Sequence, residues 1–228
     1  MLLADLATTT VAGVVFGLAL AAPPGPMNAI IAEESVLRGW VAGFRAGLGA
    51  MTADLCFLGL SLAGFVAALN DLPRLRGAMV LVGGVLMWYF AVDAARGTRS
   101  TLTPDADATA GGKGFEKAFV LALTNPYQIL FWLTVGVGLL APGSVDVLGH
   151  TPYVGGDLTG LLVVQTGTPA LLVGLFAGIA LWIVGFPATL VAARRRMDAL
   201  APVVAGVSAL VLAAFGTLFL WDGLRAFL

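Results

Sequence analysis

The sequence predicts an all-α integral membrane protein: six transmembrane helices arranged as two inverted three-helix repeats, with the first and fourth helices broken. Three observations point there. Of 228 residues, 59% are hydrophobic and 11% charged, and the mean hydropathy is +0.97. An average soluble domain carries roughly 45–50% apolar and about 25% charged residues. Apolar stretches near the ~20 residues that an α-helix needs to cross a bilayer recur six times. Two of them carry a proline interruption at corresponding places.

Bounded by charges and by Gly/Pro clusters, the predicted spans are 10–35 (interrupted), 41–69, 77–95, 115–140, 169–193 and 202–224. Residues 1–10 contain no Lys or Arg and so lack the basic region of a secretory signal, which predicts that the first span is retained. Two connections are long. Residues 96–114 include "TRSTLTPDADATAGGKG", the composition of a disordered linker. Residues 141–168 include "APGSVDVLGHTPYVGGD", Gly-rich and partly apolar, which suits a segment lying on the membrane surface.

With six spans, the basic residues fall unevenly. Arg38, Arg45, Arg96, Arg99, Lys113, Lys117, Arg194, Arg195 and Arg196 share one side, against Arg74, Arg76 and Arg225 on the other. The positive-inside rule then puts the linker at 96–114 in the cytoplasm and both termini outside. The two halves also echo each other. "LALAAPPGP" at 18–26 parallels "LALTNPYQ" at 121–128, and the third span of each half ends in Asp93-Ala-Ala-Arg96 or Asp222-Gly-Leu-Arg225. Three spans per half oblige the second copy to enter from the opposite face, the inverted-repeat arrangement of many secondary transporters. The expected organisation is a first repeat over 1–95, a linker over 96–114 and a second repeat over 115–228.

Proline inside a helix removes a donor and clashes with the preceding turn, which leaves backbone carbonyls without partners. In hydrocarbon this is tolerated only where protein, water or a ligand satisfies them. The breaks at Pro23-Pro24-Gly25-Pro26 and at Asn125-Pro126 lie well inside their apolar stretches and in an inverted repeat approach each other near the midplane. Pro24, Gly25, Pro26 and Pro126, with Asn28, Thr124, Asn125 and Gln128 beside them, are therefore the expected substrate-binding residues. Tyr127 adds a hydroxyl there. Asp54 completes the set, roughly nine residues or about 13 Å deeper than Arg45 at helical rise. An acid at such depth costs several kcal/mol unless it faces a cavity or a partner, so it is expected to bind substrate and to couple transport to protons. The competing reading is a hydrogen bond that only fixes helix packing.

Other polar residues have plainer readings. Arg45 is expected to snorkel toward the interface or to pair with Glu33 or Glu34, an interfacial acid pair that could line the inner mouth. Asp93 and Asp222, each three residues before an arginine, read as local helix ion pairs. Gly39, Gly43 and Gly47, and Gly174 with Gly178, form small-residue faces suited to close helix approach within a protomer or across a dimer. Cys56 stands alone and reads as a small buried hydrophobe, and His150 with Asp157 lacks the spaced partners of a metal site. No catalytic Ser/His/Asp set, nucleotide loop, cofactor motif or basic nucleic-acid patch is present, so neither an enzyme, a cofactor nor a nucleic-acid partner is expected.

The stretch "PPGPMNAIIAEESVLRGWVAGFRAGLGAMTAD" (23–54), followed by "LTNPYQILFW" (123–132), resembles the LysE-type (lysine exporter, RhtB-like) translocators. Pro24, Gly25 and Pro26 match that family's first motif, Asn125 and Pro126 its second, and Asp54 the acid of its second span. Tyr127 stands where many members have a basic residue. The resemblance implies a homodimeric exporter of amino acids or related small polar solutes across the cytoplasmic membrane, with a proton as coupling ion. Two alternatives stay open on the residues alone: export of divalent metal cations, and a non-transporting receptor or scaffold.

Overall fold

The computed structural model describes residues 2–64, 72–100, 113–146, 163–197, 200–225 and 227. The first apolar stretch forms α1 (Leu2–Ala21) and stops at the prolines. Ala22 N still reaches Leu18 O at 2.9 Å, but Pro23, Pro24 and Pro26 have no N–H with which to continue. Gly25 is extended (φ −174°, ψ −179°), as the following proline ring requires of its neighbour. Pro26 then opens α2 (Pro26–Arg38) at the helical position where a missing donor does no harm. α2 ends at Gly39, whose φ of +94° lies in the left-handed region open to glycine, and α3 (Trp40–Leu62) begins at the next residue.

α4 (Pro73–Ser100) outruns its predicted span at both ends, and residues 101–112 of the expected linker lie outside the described residues. The fourth stretch is broken as predicted but into more pieces. α5 (Gly114–Thr124) stops at Asn125, α6 (Pro126–Phe131) restarts at the proline, a π-helical turn covers Trp132–Gly136, and α7 (Val137–Leu140) follows. Long α8 (Pro169–Arg194) continues through Pro187, and α9 (Leu200–Arg225) is the last helix.

The connection at 141–168 departs from an all-α description. Its ends form an antiparallel pair, β1 (Gly143–Asp146) with β2 (Val163–Thr166), in the register Gly143 opposite Thr166 and Asp146 opposite Val163. The β-branched Val145, Val163 and Val164 suit such a ladder. His150 and Asp157 lie outside the described residues.

By length and composition α3, residues Gly77–Arg96 of α4, α8 and α9 can each cross a membrane, and α1 with α2 makes a fifth if counted as one broken span. The protein is thus a helical, multi-pass membrane protein. Val11 and Leu210, 63% and 72% exposed, belong to the apolar outer surface that lipid would cover.

The chain divides into two compact units, one of residues 1–22 and 134–182, the other of residues 23–133 and 183–228. In the first, α1 meets α8 through glycine. A Cβ on Gly174 would lie 2.9 Å from Gly13 Cα, and one on Gly178 2.9 Å from Leu18 N, so the two backbones touch. The Gly174/Gly178 repeat therefore serves a crossing within the protomer. Gly167, at φ +71°, donates to Leu139 O at 2.8 Å and fastens β2 to α7.

In the second unit α4 packs on α9, α3 on α5, and α2 on α3, α5 and α9. Ile30, Met87, Leu121, Leu212 and Phe219 form its buried centre. Gly84 and Gly216 bring α4 and α9 together: a Cβ on Gly84 would lie 3.0 Å from Gly216 O. Gly39, Gly43 and Gly47 do three separate things. The first turns the chain, the second admits Ser35 of α2 (2.9 Å from a Cβ to the serine Cβ), and the third admits Ile183 of α8 (2.6 Å to its Cβ).

Overpacking a close crossing typically costs 1–3 kcal/mol. Gly174→Ala should therefore lower unfolding stability in detergent by about that amount, because backbone rather than a movable side chain is in the way. Gly206→Ala, with nothing within 4 Å of its Cβ, should be neutral or slightly stabilising. Thermal unfolding of the two variants side by side is the check, and equal melting temperatures would refute the glycine crossing.

Candidate functional site

Asp54 is carried by α3 on the face that also buries Gly43, Ala46, Gly47 and Phe57, and only 6% of its surface is exposed. A carboxylate held there needs donors, and the segment after the second break supplies them. Gln128 and Trp132 are four residues apart, hence on one helical face. Gln128 Nε2 and Trp132 Nε1 each donate to Asp54 Oδ1 at 2.8 Å. Both bonds land on the same oxygen; among the described residues no hydrogen bond is made to Oδ2.

The second break is what lets that face meet α3. Asn125 leaves α5 in an extended conformation (φ −75°, ψ 113°) and its Oδ1 accepts from Tyr127 N at 3.0 Å, capping α6. Asn125 N turns back to Ala122 O at 3.2 Å, which takes up a carbonyl that Pro126 cannot reach. Thr124 Oγ1 donates to Val120 O and Leu121 O, at 3.1 and 3.2 Å, and its carbonyl abuts Gly83 of α4. The Tyr127 ring lies 5.9 Å from Phe215 and 5.7 Å from Phe219 of α9, so it packs α6 against α9 through aromatic contacts. At the first break Asn28 Nδ2 donates to Pro23 O at 2.8 Å, bracing the entry to α2.

Of the sequence-predicted residues, the structure joins Asp54 and Gln128 directly. Asn125, Thr124 and Asn28 use hydrogen-bonding groups to shape the breaks in which they sit, and Pro24, Gly25 and Pro26 form the first break itself. Trp132, wholly buried, was not among the expected residues. Its signal was the four-residue spacing from Gln128 in "QILFW".

The charged residues correct several expectations. Glu34 pairs with Arg38 at 2.6 Å, one turn along α2, while Arg45 is exposed. Asp93 pairs with Lys117 of α5 at 2.5 Å instead of with Arg96, and Arg225 lies 4.7 Å from the Trp221 ring centre. Glu33 and Glu34 are both buried within the protein. Cys56 is exposed, not buried. Among the described residues no group of three or more His, Cys, Asp or Glu side chains is placed to hold a metal ion.

Apolar helices, two proline breaks and a buried carboxylate served by donors from a restarted helix define a polytopic membrane protein with a polar site inside its helical layer. Residues 18–151, which include both breaks and Asp54, match the LysE type translocator family, and the chain belongs to that family. It is 26% identical to the "Putative amino acid efflux protein YcgF" of Bacillus subtilis, with 94% of this chain and 96% of that protein covered. It is 30% identical to an uncharacterized membrane protein of Pseudomonas aeruginosa over 89% of each chain. A leucine efflux protein of Salmonella typhimurium is 28% identical over 49% of this chain and 53% of its own length. No solved structure matches the chain significantly.

Trp132→Phe and Gln128→Leu each leave Asp54 Oδ1 with a single donor, and each should reduce unfolding stability by about 1–3 kcal/mol, as loss of one hydrogen bond to a buried charged group does. Asp54→Asn should cost less, because the amide oxygen can still accept both bonds. Detergent melting curves of the three variants test this order, and a more damaging Asp54→Asn would contradict it.

Proposed function

We propose that the protein is a secondary exporter of amino acids or related small polar metabolites across the cytoplasmic membrane, driven by proton entry. The observation that carries this reading is Asp54: a carboxylate buried in an apolar helix, with one oxygen bound to two donors and the other without a hydrogen bond among the described residues. A buried acid in a membrane-spanning helix is by default a functional group. The names of two relatives, the "Putative amino acid efflux protein YcgF" and a leucine efflux protein, support amino acids as the substrate class.

In this reading the chain spans the membrane six times as two inverted repeats, residues 1–95 and 115–228, joined by a cytoplasmic linker at 96–114, with both termini outside. It works as a homodimer. Substrate contacts Pro24, Gly25, Pro26 and Asn28 at one break and Thr124, Asn125, Pro126 and Gln128 at the other. Helices broken at depth supply backbone groups to a polar ligand, as half-helices do in inverted-repeat transporters. Asp54 takes up the coupling proton at Oδ2 while Oδ1 stays fixed to Gln128 and Trp132.

Two measurements test the reading. In proteoliposomes, wild-type protein should exchange radiolabelled leucine in counterflow and drive it with an imposed pH gradient. Asp54→Asn should reduce the gradient-driven flux at least tenfold, and an unchanged flux would remove the coupling role. For topology, alkaline phosphatase should be active when fused at the C-terminus and inactive when inserted within 101–112; the opposite pattern would invert the assigned orientation.

A further inference from the structure

Within the second unit the corner between α2 and α3 meets the last turns of α8, and three contacts join them. Arg194, the last residue of α8, donates from Nη1 to Val36 O, a carbonyl in the final turn of α2 that the helix's own N–H groups do not reach. Trp40 Nε1 donates to Val184 O at 3.0 Å, and Gly47 admits Ile183. The Trp40 ring is stacked on Phe44, with centres 5.1 Å apart and planes 5° from parallel. Past Arg194 the chain closes into a turn: Arg196 N reaches Ala193 O at 3.0 Å and Met197 N reaches Arg194 O at 3.3 Å.

Arg45, Arg195 and Arg196 are exposed and make no ion pair with any described residue. The acids of α2 do not balance them, because Glu33 and Glu34 are buried and Glu34 is taken by Arg38. Asp198 lies outside the described residues and is one negative charge against three positive ones. Arg45 is the most informative of the three. Val41, Arg45, Leu55 and Gly59 fall on one stripe of α3 at helical spacing. Val41 is 53% and Leu55 45% exposed, and a Cβ on Gly59 would meet nothing within 4 Å. An open apolar stripe on a spanning helix is its lipid face. Arg45 therefore places a charged guanidinium on the lipid side of α3, five residues or about 8 Å beyond Trp40. The preference of connecting segments for positive charge accounts for Arg195 and Arg196 but not for a cation on that stripe. Such a charge is costly unless the long side chain bends back to the interface and meets a partner there.

We propose that this corner binds the headgroup of an anionic phospholipid. Arg45 takes the phosphate from the lipid side of α3, since paired guanidinium N–H groups match phosphate oxygens two by two. Arg195 and Arg196 supply the surplus positive charge that favours a net-negative headgroup over a zwitterionic one. Trp40, half-exposed and held by its bond to α8, lies where indole rings stand at headgroup level. A lipid bound there braces the end of α2, the helix that begins at the first break.

Full-length protein in detergent, titrated with dioleoylphosphatidylglycerol or dioleoylphosphatidylcholine, tests this by native mass spectrometry and by melting temperature. The glycerol lipid should bind at least roughly tenfold more tightly than the choline lipid and should raise Tm more. Arg45→Gln, and Arg195→Gln combined with Arg196→Gln, alter exposed side chains and should melt like wild type without lipid. They should weaken binding of the glycerol lipid by about fivefold and about 25-fold. Arg74→Gln, which removes an exposed cation from α4, should leave that binding unchanged. Equal affinity for the two lipids overturns the site, as does unaltered affinity in folded Arg45→Gln; if that variant does not fold, unaltered affinity in the double variant does so instead. An equal loss in Arg74→Gln means attraction by net charge alone and also overturns it. Inorganic phosphate at the same concentration should leave Tm unmoved, and a shift equal to the lipid's would make this a free-phosphate site. A changed subunit number in Arg45→Gln with lipid binding intact would assign the stripe to a second copy of the chain and reject the lipid.

Discussion

Hydrocarbon offers no hydrogen bonds, so every backbone group that a proline strands inside an apolar helix must be satisfied by the protein or by what the protein binds. That constraint governs both breaks, and the two answer it differently. At Asn125-Pro126 the chain repairs itself: Asn125 N returns to Ala122 O, and its side chain caps the next helix. At Pro23-Pro24-Gly25-Pro26 three of four residues cannot donate at all, so the carbonyls of Ala19, Leu20 and Ala22 have no helical i+4 donor to receive. Asn28 reaches back to Pro23 O and Gly25 O accepts from Ala29 N, which secures the start of α2. A self-healing break is a device for re-aiming side chains.

The same solvent sets the packing. Lipid tails are as apolar as leucine, so helices gain little by hiding hydrophobic side chains from one another and associate through backbone proximity and interhelical polar contacts. Gly13 against Gly174 in one unit and Gly84 against Gly216 in the other show the first. Ser208 Oγ donating to Ala29 O at 2.9 Å, and Trp40 Nε1 donating to Val184 O at 3.0 Å, show the second. Both polar contacts end on helical carbonyls that already accept within their own helix, so they add a bond without breaking the ladder.

What could be read in advance follows from which signals are local. Four of the six expected spans, and a fifth if α1 and α2 count as one, were legible because composition and proline are local, while the stretch at 115–140 is cut into pieces too short to qualify; the starts of α8 and α9 fall within a few residues of prediction, and both breaks occur at the prolines that announced them. Asp54 and Gln128 were legible because polar residues in apolar helices are conspicuous. Trp132 was not, since tryptophan in such a helix looks like any other apolar residue until its indole N–H is seen to meet a carboxylate. Asp93 was misassigned for a related reason. Spacing makes Arg96 an available partner, but the packing of α4 against α5 brings Lys117 to it, and interhelical packing is not written in one helix. The burial of Glu33 and Glu34 is not written in α2 alone, since the first residue of α5 lies against Glu34.

The geometry at Asp54 bears on whether that acid is a fastening or a working group. A carboxylate that only fastens helices together would be expected to engage both oxygens, since an unfilled acceptor in a low-dielectric interior is costly. Here Gln128 and Trp132 converge on Oδ1 alone. The fully buried side-chain oxygens without partners among the described residues are Glu34 Oε2 and Ser61 Oγ, so Asp54 Oδ2 is not sealed off in the same way. The division of labour has a mechanical consequence. If Oδ2 takes up a proton as proposed, Oδ1 still keeps α3 joined to the helix that restarts at Pro126, so the charge changes without dismantling the frame. Had the two donors been spread over both oxygens, each protonation would weaken a hydrogen bond that joins α3 to the segment after Pro126. One oxygen fixed by two donors beside one without a donor lets the same acid serve as a strut and, in the proposed cycle, as a proton carrier.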